Sequence, residues 1–231
     1  MTSTARAALY GETLWISPYV FSTFVALQEK GVPFDVVEVA LADGQHLQPA
    51  YRDRSITARV PALEHEGFCL AESSAIAEYL EEVFPPPRYA RLFPESPHDR
   101  ARVRQLMAWF RSDLGALRDE RPTVTMFYRF RVPPLSAAAA RDVEKLVRVA
   151  EQLVPPAGGP LFGVWCLADS ELAFMLHRLI LNHDDVPARI RDYAQRQWAR
   201  ASVRAFAEHP RPDSVPPSYW AFSGTPNPEA A

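Results

Sequence analysis

Residues 13–31, "TLWISPYVFSTFVALQEKG", determine how the first part of the chain folds. Ser17 followed by Pro18 is typical of a helix start, since serine can cap the first free amides and proline fits the first helical position. Apolar residues then recur at helical spacing, and Gly31 stands where a left-handed C-terminal cap belongs. The stretch therefore predicts a helix that begins at Pro18 and ends near Lys30.

The segments around this helix indicate a small α/β domain. Residues 5–10 are typical of a short strand, and residues 34–41 are short and rich in β-branched side chains, so strand, helix and strand should form a parallel crossover unit. Residues 59–71 contain two apolar runs separated at residues 66–67 by Glu-Gly, which is the spacing of a hairpin, and a helix should open at Ser73. The predicted element order is βαβ-ββα.

A proline-rich segment should separate this domain from a helical one. Residues 85–97, "PPPRYARLFPESP", contain five prolines, which cannot continue a helix and which stiffen the chain. Helical patterns follow at about 98–120, 136–154, 167–182 and 188–208. We assign residues 1–86 to the α/β domain, 87–97 to a linker, 98–209 to an all-α helical bundle and 210–231 to a tail rich in proline and aromatic residues. Its aromatic residues, Tyr219, Trp220 and Phe222, predict that the tail docks on the body of the protein.

Composition excludes several classes of function. The chain has 231 residues, 48% of them hydrophobic, and a net charge of -3, so no basic surplus points to nucleic acid or acidic membranes. No apolar run is long enough to cross a bilayer, and the N-terminus lacks the apolar core of a signal peptide, so we expect a cytoplasmic protein that binds a small neutral or anionic ligand. Cys69 and Cys166 lie far apart, and His177 and His183 are not on one helix face, so we expect neither dithiol chemistry nor a metal.

Four motifs, in this order and spacing, resemble the cytosolic glutathione transferases over roughly residues 8–209. They are "SPYVFSTFVALQEKG", "RVPAL", "ESSAIAEYLE" and "GVWCLADSELA". The resemblance implies a thioredoxin-like N-terminal domain, glutathione as co-substrate and a homodimer. The details "SPYV", "GQHLQP", "AWFRSDL" and "RASV" look closest to bacterial YfcF-type transferases, whose Ser-Pro start also resembles the plant tau class.

Ser17 is the candidate catalytic residue. In the enzymes that this chain resembles, a hydroxyl at this position donates a hydrogen bond to the sulfur of glutathione and favours its thiolate. A free thiol has a pKa of about 8.5, and lowering it by about two units takes about 2.7 kcal/mol. A hydrogen bond to a charged group supplies about 1.5 to 3 kcal/mol and a helix N-terminus about 0.3 to 1 kcal/mol, which together suffice. Two alternatives stay open: Ser17 only caps its helix, or Tyr10 or Tyr19 supplies the hydroxyl.

The resemblance also assigns the residues that bind glutathione. Val60 and Pro61 look like the valine and cis-proline that present backbone hydrogen bonds to the cysteinyl part, although Pro61 could instead be an edge-strand proline. Glu72 and Ser73 match the pair that binds the γ-glutamyl end, with a plain N-cap as the alternative.

The glycine carboxylate of glutathione usually meets a lysine or similar cation in these enzymes. Equal spacing back from the Val-Pro pair lands on His46, so His46 or Arg59 is the candidate here. The alternative is that both side chains belong to a solvated loop.

The electrophile should bind between the two domains, where aromatic walls would suit apolar substrates. The resemblance places Leu14, Trp15 and Ile16 on one wall and Trp109, Phe110 and Asp113 on the other. These side chains could equally be core.

The motif "CLAD", residues 166–169, resembles a capping box with a folding role, in which the sulfur of Cys166 replaces the usual hydroxyl and should cap more weakly. Cys69 should be an inert core thiol.

The function that these residues predict is conjugation of glutathione to apolar electrophiles, or glutathione-dependent reduction of organic hydroperoxides, since both need the same thiolate. A second reading is a non-catalytic binding protein with this fold that acts through protein contacts. A third, a thiol-disulfide reductase, would need a cysteine where Ser17 stands, because serine cannot form a mixed disulfide.

Overall fold

The computed structural model describes residues 7–128, 130–220 and 225–226. The chain forms two compact units. One contains the described residues up to Phe93 together with Ala201–Asp213, and the other contains Pro94–Arg200 together with the described residues from Ser214 onward.

The strands are β1 (Ala7–Glu12), β2 (Phe34–Val39), β3 (Ala62–His65), β4 (Phe68–Ala71), β5 (Phe130–Arg131) and β6 (Thr225–Pro226). The helices are α1 (Pro18–Lys30), α2 (Pro49–Arg52), α3 (Ser73–Val83), α4 (Pro97–Ser112), α5 (Gly115–Glu120), α6 (Val124–Phe127), α7 (Ala137–Leu153), α8 (Leu167–Ile180), α9 (Ala188–Trp198) and α10 (Ala201–Ala207). The N-terminal α/β domain and the helical C-terminal part confirm the predicted fold class.

The sheet of the first unit brings three chain segments to one end. Its strand order is β2-β1-β3-β4, with β1 and β2 parallel and the other neighbours antiparallel. Tyr10 near the end of β1 pairs with Ala62 at the start of β3, and Ala62 pairs with Ala71 at the end of β4. The loop after β1, the residues before β3 and the residues after β4 therefore meet at the same end of the sheet, within about 10 Å, because neighbouring strands lie about 4.8 Å apart.

Helix α1 packs closely on β1. A side-chain carbon added at Gly11 would lie 2.8 Å from a methyl group of Val20, so only glycine allows this approach. At the other end Gly31 adopts a left-handed conformation with φ 62°, as the sequence predicts.

A buried ion pair joins α1 to α3. The side chain of Lys30 is fully buried, and its Nζ lies 2.6 Å from Oε2 of Glu81. The same Nζ donates to the carbonyl of Phe84, and Oε2 of Glu81 accepts from the amide of Leu92. One charge pair thus fixes two helices and the segment that follows them.

Helix α10 belongs to the first unit, although the sequence places residues 188–208 in one helix of the helical half. The structure differs from this prediction in two ways. The helix is interrupted at Ala199–Arg200, and Phe206 then packs on the aromatic rings of Trp15, Phe21 and Phe24, with centroid separations of 5.3 to 5.7 Å. The ring of Phe206 is fully buried in the first unit.

Helix α8 is the centre of the second unit, since every residue from Leu167 to Leu179 is buried. Asp169 lies at its start and reaches back to the amide of Cys166 at 2.9 Å, the contact expected of the capping box. Its carboxylate also accepts from the amide of Leu161 and the hydroxyl of Tyr193. The thiol of Cys166 also donates to the same carboxylate, while its sulfur takes the acceptor place of the capping box opposite the amide of Asp169.

The helix predicted at about 98–120 is also interrupted, because α4 ends at Ser112 and α5 starts at Gly115. Leu114 has φ 60°, which breaks the helical path. Asp113 holds this break by accepting a hydrogen bond from the Leu114 amide at 2.7 Å.

The tail is described only in part. Val215 is buried and Tyr219 is half-buried, whereas the side chain of Trp220 and the whole of Phe222 lie outside the described residues. None of the described helices combines the length and the apolar composition that a membrane span requires.

Candidate functional site

Ser17 caps helix α1 from the end of the sheet described above. Its Oγ accepts hydrogen bonds from the amides of Tyr19 at 3.3 Å and Val20 at 3.2 Å. A hydroxyl has one donor hydrogen and two acceptor lone pairs, so these bonds use both lone pairs and leave the O–H to donate. Ser17 is half-buried, so a ligand at the helix N-terminus can reach that hydrogen.

The two rival hydroxyls differ in their surroundings. Tyr10 donates to Oε2 of Glu64 at 2.8 Å and accepts from Nε of Arg54 at 2.8 Å, and burial raises its pKa, so its phenol is already bonded. Tyr19 lies in the first turn of α1 and is half-buried. The assignment of Ser17 as the catalytic residue stays a prediction that this geometry favours.

The backbone before β3 is fixed by side chains. The Val60-Pro61 peptide is cis. The carbonyl of Arg59 accepts from the Tyr51 hydroxyl at 2.8 Å and from the Ser55 hydroxyl at 2.9 Å. Ser55 also accepts from the amide of Arg59, so the chain that leads to Val60 is held on both backbone groups. A ligand would meet this backbone in one defined position.

The start of α3 lies after the second strand of the hairpin. The capping position is Glu72, with φ 72°, and its side chain makes no capping bond. The first amides of a helix have no partner inside the helix, so those after Glu72 can bind a carboxylate. Ser73 is the first helical residue and is buried, whereas the carboxylate of Glu72 is exposed to meet an ammonium group. The sequence alternative, a plain N-cap at Ser73, does not describe this helix start.

The two candidates for the glycine carboxylate differ in exposure. His46 lies in a short 3₁₀ turn after β2, and its Nδ1 is buried without a hydrogen-bond partner among the described residues. The residue Arg59 is exposed. The choice between them stays a prediction.

The residues predicted to form the electrophile pocket belong to the two different units. Leu14, Trp15, Ile16 and Phe110 are buried, and Trp109 and Asp113 are half-buried. In the first unit, Trp15 donates from Nε1 to Glu38 at 3.1 Å. In the second, Asp113 accepts from Lys145 at 2.8 Å and from Trp109 at 2.7 Å, and the bond to Lys145 first of all lowers the pKa of Asp113 to about 2. Their role towards an electrophile stays a prediction.

Burial disfavours the reactive forms of the two cysteines and of His177. Cys166 is fully buried, and burial raises the pKa of its thiol, which disfavours the nucleophilic form. Burial also raises the pKa of Cys69. His177 stacks on Trp198, and burial lowers the pKa of His177 to about 4. Within the described ranges, no group of three or more His, Cys, Asp or Glu side chains could hold a metal ion.

Sequence reasoning missed Glu12, Tyr51 and Ser55. All three hold backbone beside predicted site residues: Tyr51 and Ser55 bind Arg59, and Glu12 binds the amides of Ile16 and Ser17. The one available signal was an acidic residue at the apolar end of β1, which is unusual for a buried position.

Comparisons with known proteins find matches for both parts of the chain. A family model described as "Glutathione S-transferase, N-terminal domain" matches residues 12–82, and one described as "Glutathione S-transferase, C-terminal domain" matches residues 97–209. A solved glutathione transferase homologue from Burkholderia with bound glutathione is 39% identical, with a TM-score of 0.71, over 88% of this chain and 96% of that chain.

Curated relatives match over shorter stretches. Maleylpyruvate isomerase from Ralstonia sp is 36% identical over 97 residues, which are 42% of this chain and 44% of that protein. Human glutathione S-transferase theta-1 is 34% identical over 88 residues, which are 38% of this chain and 36% of that protein. The chain thus spans less than half the length of these curated relatives.

Proposed function

This chain belongs to the glutathione S-transferase family, and on that basis we propose that it binds glutathione, stabilises its thiolate with Ser17 and conjugates it to apolar electrophiles. The observation that carries the proposal is the hydroxyl of Ser17. Because two amides occupy its lone pairs, it can only donate, and an anion such as a thiolate is the acceptor that gains most from a donor at a helix N-terminus.

The remaining binding groups lie at the same end of the sheet. The carboxylate of Glu72 pairs with the ligand ammonium, while Ser73 and the first amides of α3 bind the γ-glutamyl carboxylate. The backbone at Val60, before Pro61, aligns the cysteinyl part as an added strand would. The support for this arrangement is the strand register, which collects these segments beside the loop that leads to Ser17.

The conjugation reaction follows from the thiolate. The proton of the thiol leaves to solvent when the thiolate forms. The sulfur then bonds to the electrophilic carbon, which either releases its leaving group as an anion or opens an activated double bond whose other end takes a proton from solvent. Ser17 keeps its own proton throughout, since it stabilises the anion by donating a hydrogen bond and does not act as a base. A helix N-terminus and one hydrogen bond to a charged group together supply about 2 to 4 kcal/mol.

The test separates capping from catalysis by comparing three variants. Ser17→Gly removes the hydroxyl but costs the helix only a few tenths of a kcal/mol, whereas Ser17→Ala costs about 1 kcal/mol. Both should raise the pKa of bound glutathione by about 1 to 2, measured by the ultraviolet absorbance of the thiolate against pH. Ser17→Thr retains a hydroxyl and serves as the control. Full turnover in Ser17→Gly would refute the catalytic assignment.

Four finer expectations remain proposals. The placement near bacterial YfcF-type and tau-like enzymes, the homodimer and the reduction of hydroperoxides rest on the sequence resemblance, and the cytoplasmic location rests on the composition of the chain. Conjugation and hydroperoxide reduction should both be assayed in the Ser17 variants. Because both reactions need the same thiolate, Ser17→Gly should lower both rates together. Sedimentation analysis tests the homodimer.

A further inference from the structure

The loop that delivers Ser17 to the start of α1 contains a strained residue. Trp15 has φ 52°, a left-handed conformation that is rare for a bulky side chain. Such a conformation is sparsely populated and persists only where its surroundings hold it. The groups that hold Trp15 therefore also determine where Ser17 lies, two residues further on.

Glu12 holds the loop from the amide side. Its side chain is buried, with 3% exposure. Its Oε1 accepts hydrogen bonds from the amides of Ile16 and Ser17, both at 2.5 Å. The carbonyl of Glu12 also accepts from the amide of Trp15 at 3.3 Å. Three consecutive amides of the loop are thus bound to one residue at the end of β1.

Arg211 holds the loop from the carbonyl side. Its Nε and Nη2 donate to the carbonyl of Trp15 at 3.2 and 3.0 Å. Arg211 is itself anchored by the carbonyls of Phe206, Ala207 and His209 at the end of α10. Since Trp15 is bound on its amide and its carbonyl, its backbone has little freedom to relax.

We propose that Glu12 is a positioning residue for catalysis: its carboxylate fixes the backbone of Ile16 and Ser17 and thereby aims the Ser17 hydroxyl at the sulfur of glutathione. The inference rests on the proposed function of Ser17. It adds that two hydrogen bonds to Oε1 set the direction of the Ser17 hydroxyl. What matters for this role is the position of the acceptor oxygen, not the charge of the carboxylate. A negative charge beside the site would by itself disfavour a thiolate.

Substitutions of Glu12 that keep the acceptor oxygen should therefore differ from those that remove it. Gln has the size of Glu and a carbonyl oxygen in the position of Oε1, so Glu12→Gln keeps both acceptor contacts without the charge. Glu12→Ala removes the contacts. Misplacing a reacting group by about 1 Å can cost up to about a hundredfold in rate, so we expect Glu12→Ala to lower kcat by about tenfold to a hundredfold and Glu12→Gln to retain most of it.

The experiment measures kcat, the pKa of bound glutathione and the amide hydrogen exchange of Ile16 and Ser17 in wild type and both variants, well below their melting temperatures. Glu12→Ala should lose kcat, raise the pKa of the bound thiol and accelerate exchange, and Glu12→Gln should restore all three. Glu64→Ala, which removes a partly exposed carboxylate from the same sheet, is the matched control and should leave them unchanged.

Several results would overturn the proposal. If Glu12→Ala melts at a lower temperature but keeps its kcat and its thiol pKa, Glu12 is only structural. If Glu12→Gln is as defective as Glu12→Ala, the charge matters and the geometric argument is wrong. Should Glu12→Ala fail to fold, Glu12→Asp replaces it, because it withdraws the acceptor by one methylene. Full turnover in Ser17→Gly refutes the proposed function itself. Amide hydrogen exchange at Ile16 and Ser17 would then still test whether Glu12 holds their backbone.

Discussion

Glu12→Gln should change how the stability of the protein depends on pH. Burial raises the pKa of Glu12 from its ordinary value of 4.5 to about 7, against the lowering effects of the Ser17 and Ile16 amides and of Arg211. The folded protein therefore binds this proton more tightly than the unfolded chain does. Between pH 4.5 and 7 the native state holds more protons, so this group makes the protein less stable as pH rises through that window.

The magnitude follows from the same values. The difference between 7 and 4.5 corresponds to roughly 3 kcal/mol of unfavourable free energy once the carboxylate is charged in both states. Most of it develops above pH 5, so the loss between pH 5 and pH 8 is about 2 to 3 kcal/mol. A glutamine does not ionise, and the variant should therefore escape this loss.

Urea unfolding at pH 5, 6, 7 and 8, with one fixed protein concentration, measures the effect. The free energy of unfolding of Glu12→Gln minus that of wild type should rise by about 2 to 3 kcal/mol across this range. The control is Glu208→Gln, because Glu208 is exposed and Arg204 lowers its pKa. A group of that kind stabilises the protein above its unfolded pKa and loses this contribution only as pH falls, so its difference should stay nearly constant from pH 5 to 8.

A flat difference for Glu12→Gln would refute the reasoning. It would mean that the carboxyl of Glu12 binds its proton equally well in the folded and unfolded chain. In that event the hydrogen bonds from Ile16 and Ser17 would fully compensate for desolvation, and the free-energy penalty assigned to burial would be wrong.

Three further changes have defined outcomes. Lys30→Met should lower the free energy of unfolding by about 3 to 5 kcal/mol, because it leaves the buried charge of Glu81 uncompensated, and adding Glu81→Leu should recover most of that loss in urea unfolding. Glu72→Ala should weaken glutathione binding by about 2 kcal/mol in titration calorimetry, since the ligand ammonium loses its partner; equal affinities would make Glu72 structural. Truncation after His209 removes Arg211 and should lower the melting temperature and alter the ranking of electrophiles, and an unchanged melting curve and ranking would show that the tail has no such role.

The sheet and the two helices α1 and α3 were predictable because their signals are local. The Ser-Pro pair and Gly31 bracket α1, and Glu66 and Gly67 form the turn between β3 and β4, both with positive φ. Each signal lies within a few residues of the feature that it determines. The βαβ-ββα order follows from them without knowledge of any tertiary contact.

The helix interruptions were not predictable, because distant partners stabilise them. Nothing in residues 112–115 other than a glycine marks a break, and the left-handed Leu114 depends on Asp113, which is held in turn by Lys145, more than thirty positions away. The same holds for α10, whose packing on the first unit depends on where Phe206 finds other aromatic rings. Periodicity records that a segment is helical but not which core it joins.

The candidate site likewise contains residues that the sequence predicts and residues that it does not. Residues that would touch glutathione carry motif signals, such as Ser17 before a proline or Glu72 before a serine. Glu12 and Ser55 instead bond side chain to backbone, and such contacts follow no period along the chain. They become visible only when the structure shows which amides and carbonyls they meet.

Capping and thiolate stabilisation are alternatives for Ser17 in the sequence, but with the geometry of the structure the proposed thiolate contact would depend on the capping bonds. The amides of Tyr19 and Val20 occupy the lone pairs of the hydroxyl and so direct its hydrogen away from the helix. An aspartate would cap this helix as well as serine does, yet at neutral pH its carboxylate has no hydrogen to donate and its charge would repel a thiolate. Capping strength alone therefore does not explain a hydroxyl here, whereas a helix start that must also donate to an anion requires one.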